Sequence, residues 1–376
     1  MSSWLKTFSL SALAIISLSM MGRAQSSSGD KSWTTTSQQG DPSGSVNPTR
    51  TRQTHSEVNG RTIDKTIVEA LGPDGRYVPY SETERESVRV NDSTVRNVER
   101  TYGNNSDGHR TLTQETQEES RSLPGGEQKI TRTTSTPDGN GSLQVARREL
   151  VDSKQVSAGV RDTKTTVFSP DVNGGLSASV QIEERSTQTD ASTVQFKKST
   201  SLADGTGRWT LGEVREGTTK NEGGASTKDE RVLRPNGDGK MAVVERTVTK
   251  QADAGQGDQR ATTETYSTNV PGQAGDNGLQ LVQRESTIQR AGSSGGATTT
   301  RQVERPNPGD PSAGLRVTQE AIDIVRPGID GKTAETTTIL NSGSDGRMNA
   351  VWIDMGKSDK PAGPPKAESS GAKKAK

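Results

Sequence analysis

The chain has no cysteine, only two histidines and an aromatic fraction of 3%. Without cysteine it can form no disulfide, no thiolate metal site and no thiol nucleophile. Leu, Ile, Val and Phe make up about 16% of the residues, below the level of about one-fifth that a large compact core requires. The net charge is only +1, which is not the strong charge imbalance typical of disorder. This composition favours thin or repetitive β structure over a conventional globule.

The N-terminus has the features of an export signal. Lys6 supplies a positive charge, residues 7–21 are largely apolar, and Gly22 and Ala24 place small residues around a cleavage position. We therefore predict that residues 1–24 are a signal peptide. No later segment approaches the ~20 apolar residues of a spanning helix, so we expect a secreted or periplasmic protein with no membrane span after signal removal.

An internal repeat is the strongest signal in the mature chain. Glycines with Asp or Asn close by recur about every 33 positions, which is the kind of period that marks a repeat architecture. The repeat glycines are Gly75, Gly108, Gly141, Gly174, Gly207, Gly239, Gly278, Gly314 and Gly346. Asp-Gly and Asn-Gly sequences between alternating segments are strong hairpin signals, so we assign a turn to each repeat glycine.

Apolar residues follow most of these turns at fixed offsets. Leu143 and Trp209, for example, stand two positions after their glycines, and Val145 and Leu211 follow two positions later. A spacing of two places both residues on one face of an extended strand. Thr-rich arms precede the turns, and helical spacing is not sustained anywhere in the mature chain. Each repeat therefore predicts two antiparallel strands.

These observations predict an all-β fold: an elongated tandem array of about nine antiparallel β-hairpin repeats with a period of about 33 residues. Residues 59–356 form the repeat region. The Ser/Thr/Gln-rich leader at 25–58 and the Lys/Pro/Ala-rich tail at 357–376 are predicted to be disordered. A wholly disordered mature chain is the competing interpretation. Whether the sheet stays open, coils or closes is left undecided.

Catalytic chemistry has little support in the sequence. Both histidines, His55 and His109, precede the Gly-x-Ser-x-Gly string at Gly292–Gly296, which lies in a Gly/Ser loop rather than between a strand and a helix. The turn at Asp138–Gly141 resembles half of a calcium loop, but Arg147 stands where the bidentate Glu is required. We predict that the protein is not an enzyme and has no catalytic, cofactor or metal residues.

The many Glu, Arg and Lys residues are predicted to form cross-strand pairs on a solvated face. Nucleic acid is disfavoured as a partner because stacking aromatics are scarce and the chain is exported. An outer-membrane barrel is also disfavoured, because lipid-facing strands need sustained apolar alternation and aromatic girdles.

The sequence therefore predicts an exported, non-enzymatic repeat protein that acts as an elongated structural, adhesive or matrix component of the bacterial envelope or exterior. Its expected partners are envelope or extracellular polymers, or other copies joined through sheet edges. The alternative is a carbohydrate- or glycan-binding module with aromatic stacking platforms. The candidate stacking residues are Tyr77, Tyr80, Trp209, Tyr266 and Trp352.

Overall fold

A computed structural model describes residues 31–40, 46–104, 108–255, 258–268, 278–292, 296–307, 310–327, 333–343 and 346–358. Within these ranges the chain forms twenty strands and one short 3-10 turn, Pro124–Gly126. The strands are β1 (Lys31–Gly40), β2 (Val46–Val58), β3 (Arg61–Leu71), β4 (Tyr77–Asn91), β5 (Thr94–Asn104), β6 (Arg110–Ser122), β7 (Gln128–Pro137), β8 (Leu143–Ser157), β9 (Val160–Pro170), β10 (Leu176–Gln188), β11 (Thr193–Ala203), β12 (Trp209–Glu222), β13 (Ala225–Pro235), β14 (Met241–Gly255), β15 (Asp258–Ser267), β16 (Gln280–Ala291), β17 (Ala297–Asn307), β18 (Asp310–Pro327), β19 (Thr333–Ser342) and β20 (Met348–Ser358).

The predicted all-β fold of tandem antiparallel hairpins is confirmed. Each strand pairs with the next in the sequence, from β1 through to β20. The array was expected to extend as an elongated sheet, but its two ends meet: Thr36 of β1 pairs with Lys357 of β20, and Gly40 pairs with Ile353. The sheet is therefore a closed barrel, the arrangement that the sequence left undecided.

Turns of one type follow β3, β7, β9, β11, β13 and β19, where the N–H of the first residue after the strand bonds to the carbonyl four residues later. All nine repeat glycines have φ between 70° and 90°, a region that favours glycine. In the turn after β7, the Asp138 carboxylate accepts hydrogen bonds from the N–H groups of Asn140 (2.8 Å) and Ser142 (2.9 Å). These bonds lower the pKa of the Asp138 carboxyl. Asp171, Asp204 and Asn236 close their turns in the same way, as the sequence predicts. The prediction for Gly314 is wrong, because this residue lies within β18 and not in the turn that precedes it.

A β-bulge follows each of these turns, and the sequence analysis did not identify it. In β12, for example, Gly212 is an extra residue between Leu211 and Glu213, because Ser201 pairs with Leu211 and Thr200 with Glu213. The equivalent register shift occurs on nine of the ten ladders from an odd strand to the next even strand, and the β1–β2 ladder lacks it. A bulge bends its strand and increases the local twist. Repeated at one height, these bulges explain why the array curves until its ends meet.

The strand register also sets the width of the barrel. If one starts at a residue of β1 and moves from each residue to its partner on the next strand, through β20 and back to β1, the path ends about 22 residues from its starting point. This offset is the shear of the barrel. With ordinary strand spacing this shear gives a tilt of about 37° and a backbone radius of about 19 Å. A barrel of this width is too large for its own side chains to fill.

The pairing divides the side chains into two faces. Face 1 includes Glu69, Glu82 and Ile353, and face 2 includes Arg132 and Phe196. In even strands, face 2 residues bond to the preceding strand, as in the hydrogen bonds from the Asn221 N–H to the Ser192 carbonyl and from the Gln188 N–H to the Gly159 carbonyl. A right-twisted sheet of L-residues that closes into a barrel can tilt its strands in only one direction around the barrel axis. Given that tilt, the side to which face 2 residues hydrogen-bond and the direction of the shear require face 2 to line the lumen and face 1 to point outward.

The segments flanking the predicted repeat region contribute strands to the barrel. The leader at 25–58, predicted to be disordered, contains β1 and β2, which complete the barrel. Backbone pairing with β3 and β20 stabilises these strands, and that pairing does not depend on apolar side chains. In the tail predicted at 357–376, β20 extends to Ser358. The predicted signal peptide at 1–24 lies outside the described residues.

Candidate functional site: the two charged walls of the barrel

The lumen wall carries ion pairs that cross several strands. The Arg132 guanidinium on β7 contacts Glu118 on β6 at 2.5 Å and Glu149 on β8 at 3.1 Å. Asn97 on β5 extends the group by donating to Glu118 at 3.2 Å. The two carboxylates raise the pKa of Arg132, with the Glu118 hydrogen bond as the largest cause. One guanidinium therefore links three neighbouring strands on the inner wall.

A second lumen cluster surrounds Arg215. Its guanidinium contacts Glu213 at 2.7 Å on the same strand and Glu230 at 3.3 Å on β13. Arg234 also contacts Glu213 at 2.9 Å, and Lys228 contacts Glu230 at 2.6 Å. Positive and negative groups therefore alternate along this wall, which gives the lumen no strong field of one sign.

The close packing beside this cluster requires a glycine. Gly217 lies between Phe196 on β11 and Glu230 on β13. A Cβ atom at Gly217 would lie 2.3 Å from the Asp229 carbonyl oxygen and 2.9 Å from the Phe196 ring. The Phe196 ring thus packs over the backbone of Gly217, an arrangement that shields a glycine in a strand from water.

Hydroxyl groups line much of the remaining lumen wall. Thr116 and Thr134 oxygens lie 3.3 Å apart, and those of Ser153 and Thr163 lie 3.0 Å apart. Three valines on the same face, Val167, Val232 and Val303, are only 3–5% exposed, so their neighbours on the wall cover them. The lumen wall is accordingly mostly polar, with small buried apolar positions.

The outer face of β2–β14 is also charged, and we call it the charged sector. Glu69, only 2% exposed, accepts hydrogen bonds from Arg50 at 2.5 Å and Arg52 at 2.9 Å. Glu82 contacts Lys65 at 2.8 Å and Arg110 at 2.6 Å. Burial raises the pKa of Glu82, but the hydrogen bonds from these two cations outweigh it, so the pKa is lowered overall. These contacts confirm the predicted cross-strand Glu–Arg pairs.

The outer face of β17–β20 differs from this pattern. Two rows at mid-height carry no charge, and we call them the uncharged sector. Its residues are Thr298, Thr300, Ile322, Ile324, Thr336, Thr338, Ile353 and Met355. Met355 is 56% exposed and Ile353 is 41% exposed, so this apolar surface faces solvent.

The structure does not bring the five predicted stacking residues together. Tyr77 lies on the outer face under the Arg50 guanidinium, 4.5 Å from the ring centroid. Tyr80 is the extra residue of its bulge and is 55% exposed. Trp209 lies at the outer rim, Tyr266 donates to Glu264 at 2.9 Å, and Trp352 is on the lumen face of β20. They belong to four separate strands, and their stacking role stays an untested prediction.

Within the described parts of the chain, no group of three His, Asp or Glu residues could hold a metal ion. In the same ranges, no helix is long and apolar enough to cross a membrane.

Comparison with known proteins gives a structural likeness only. No family model and no curated protein sequence matches the chain. The siderophore receptor PirA from Acinetobacter baumannii has a TM-score of 0.52 at 6% identity, and PirA from Pseudomonas aeruginosa has a TM-score of 0.51 at 10% identity. Each match covers 89% of this chain and 81% of the receptor. At these identities the likeness establishes a shared barrel fold.

This likeness corrects the predicted function. A structural, adhesive or matrix repeat component, with a glycan-binding module as the alternative, is the wrong interpretation, since the similar structures are receptor barrels rather than stalks. The prediction disfavours a barrel because the strands lack the apolar alternation of a lipid-facing surface. Closure of the sheet depends instead on the bulges and the strand register, which that criterion does not consider. Both similar proteins are receptors and not enzymes, in agreement with the non-enzymatic prediction.

Proposed function

We propose that the protein acts in the bacterial envelope as a water-filled barrel that admits hydrophilic solutes. The observation that carries this proposal is the closed circuit of twenty strands around a mostly polar lumen that is too wide for the side chains of the strands to fill. A wall of alternating charges and hydroxyl groups can exchange hydrogen bonds with a hydrated solute at little desolvation cost. The envelope setting is supported by the export signal predicted at residues 1–24 and by the fold shared with siderophore receptors.

The lumen chemistry indicates weak selectivity. Guanidinium groups such as Arg132 and Arg215 are each held between two carboxylates, so neither sign of charge dominates. A pore selective for cations or anions requires a ring of one sign. We therefore expect the barrel to discriminate mainly by size, which is limited by the radius of about 19 Å less the length of the side chains.

Contact with a membrane on all sides of the barrel does not explain the charged side chains on its outer face. The charged sector carries ion pairs such as Lys65–Glu82 at 2.8 Å and Arg185–Asp162 at 2.7 Å. Each charged side chain on a lipid face costs about 2–4 kcal/mol at the bilayer midplane. The proposal is therefore an envelope barrel whose charged sector faces water.

Single-cysteine labelling tests the proposal, because the natural chain has no cysteine to interfere. Thr165 on β9 faces the lumen, and its neighbour Thr166 faces outward. Thr165→Cys should react with a small maleimide in the folded protein but react far more slowly with a long polyethylene-glycol maleimide. The matched variant Thr166→Cys should react with both reagents.

Two results would contradict the proposal. If the small reagent fails to label Thr165→Cys until the protein is unfolded, the lumen is closed to solutes. If the long reagent labels both variants at the same rate, no enclosed lumen exists.

A further inference from the structure

The uncharged sector is an exposed surface with a composition unlike the rest of the outer wall. Ile322 pairs with Thr338, which pairs with Ile353, and in the adjacent row Ile324 pairs with Thr336, which pairs with Met355. The equivalent positions across β3 to β6 read Lys65, Glu84, Arg100 and Glu115. We propose that this sector is the contact surface through which two copies of the chain associate, a step that goes beyond the solute-admitting function.

The chemistry of the neighbouring sectors favours a protein partner over lipid. A bilayer surrounds a barrel on all sides and would have to cover the ion pair formed by Lys65 and Glu82 as well as the apolar rows. A protein covers only the part of the wall that it touches. A surface of Ile, Thr and Met confined to four adjacent strands therefore fits a partner of similar width.

The size of the surface fits a weak self-association. With the rows on either side of it, the sector is four strands wide, and β19 contributes seven residues from Ala334 to Leu340, which gives a footprint of about 440 Å². Two such faces bury about 900 Å², below the ~1,000 Å² expected of a stable interface, so the association is weak and reversible. We therefore expect a dimer that is populated only at high protein concentration.

Charge complementarity supports a second copy of the same chain. Glu320 and Arg326 stand on the outer face of β18, each three residues from Asp323 at the centre of the strand. When two copies of β18 face each other in antiparallel orientation, Glu320 of one copy lies near the partner's Arg326, and the reverse pair forms by symmetry. A self-complementary patch of this kind is the requirement for a two-fold interface.

Two matched substitutions test the inference by sedimentation velocity over a range of concentrations. The natural chain should show a reversible dimer. Ile324→Lys, in the uncharged sector, should weaken dimerisation at least about tenfold, equivalent to about 1.4 kcal/mol. Ile67→Lys, on the outer face of the charged sector, should leave it unchanged. Circular dichroism of both variants confirms that the sheet is intact.

Oxidative cross-linking gives an independent measurement. Thr336→Cys should form an intermolecular disulfide faster than Thr166→Cys, because Thr336 lies at the centre of the proposed contact. A monomeric natural chain at every concentration, equal cross-linking of the two variants, or a monomer that floats with phospholipid vesicles would overturn the inference. The labelling of Thr165→Cys reports on the lumen separately, so the two proposals can fail independently.

Discussion

The outer wall of one barrel has two sectors built from the same repeat but held together differently. In the charged sector, guanidinium and carboxylate groups bridge neighbouring strands, as Arg50 and Arg52 do with Glu69. In the uncharged sector, the same positions hold Thr and Ile, and the strands rely on backbone pairing and β-branched contacts. The comparison shows that the repeat specifies the backbone, whereas the outward side chains specify what each sector can contact.

The largest expected effect comes from the tight packing of Gly217 in the strands of the charged sector. Gly217→Val would force a side chain into the Asp229 carbonyl oxygen, 2.3 Å from its Cβ, and into the Phe196 ring. We expect a loss of about 3 kcal/mol or more in the free energy of unfolding, measured by urea denaturation. Gly103→Ala is the matched control, because its Cβ would meet only Thr113 at 3.4 Å, and it should cost less than about 1 kcal/mol.

The next effect compares a carboxylate of the charged sector with one that borders the uncharged sector. Glu82→Gln removes the charge that pairs with Lys65 and Arg110, and we expect a loss of about 1–2 kcal/mol since Glu82 is mostly buried. Glu320→Gln in β18 should change stability by less than about 0.5 kcal/mol, because Glu320 accepts one hydrogen bond, from Gln302 at 3.0 Å. Equal losses in the two variants would show that the sectors do not differ in this way.

Acid should also distinguish strands β13–β16 from the strands of the uncharged sector. Hydrogen bonds lower the pKa of Asp229 and Glu264 in the folded protein, with Arg246 and Tyr266 respectively as the largest causes. A carboxyl group whose pKa is lower in the folded state than in the unfolded state stabilises the fold when the pH is above its unfolded pKa of about 4. That stabilisation is lost as the pH falls from the unfolded pKa to the folded pKa. Hydrogen exchange at pH 7, 4 and 3 should show β13–β16 losing protection before β18–β20. Loss of protection in the reverse order would contradict this assignment.

The smallest effect is expected at an exposed ion pair. Arg185 and Asp162 lie 2.7 Å apart, but the Arg185 side chain is 63% exposed. Such exposed pairs contribute little to stability and are screened by salt. Arg185→Gln should therefore shift the urea midpoint only slightly, and high salt should remove the difference. A shift as large as that of Glu82→Gln would show that exposure does not set the strength of these pairs.

The sequence predicted the local structure of this barrel well. Turn chemistry at Asp138 and Gly141 and alternation at Trp209 and Leu211 are short-range properties, which a sequence records directly. The strand pairs that follow from them are present, including β12 with β13. Hairpins could be predicted because each one depends on neighbours within about 33 residues.

Closure and sidedness could not be predicted in the same way. Gly212 is an extra residue in a bulge, but nothing in a single repeat shows that nine such bends add up to a circle. Nor does a repeat show that Thr35, in a leader without repeat features, pairs with Ser358 across the seam. The lumen assignment of Arg132 required the register of all the strands. These are cumulative, long-range properties.

The seam between β1 and β20 provides the most direct test of the closed barrel. Thr35 and Ser358 are paired across it in the register. A chain carrying Thr35→Cys and Ser358→Cys should form an intramolecular disulfide under mild oxidation, detected by mass spectrometry of the unreduced monomer, because paired residues lie within disulfide distance. The control pair Thr35→Cys and Met348→Cys should not. Failure of the first pair to link within one chain, while it reacts freely with maleimide, would show that the sheet is open and contradict the account.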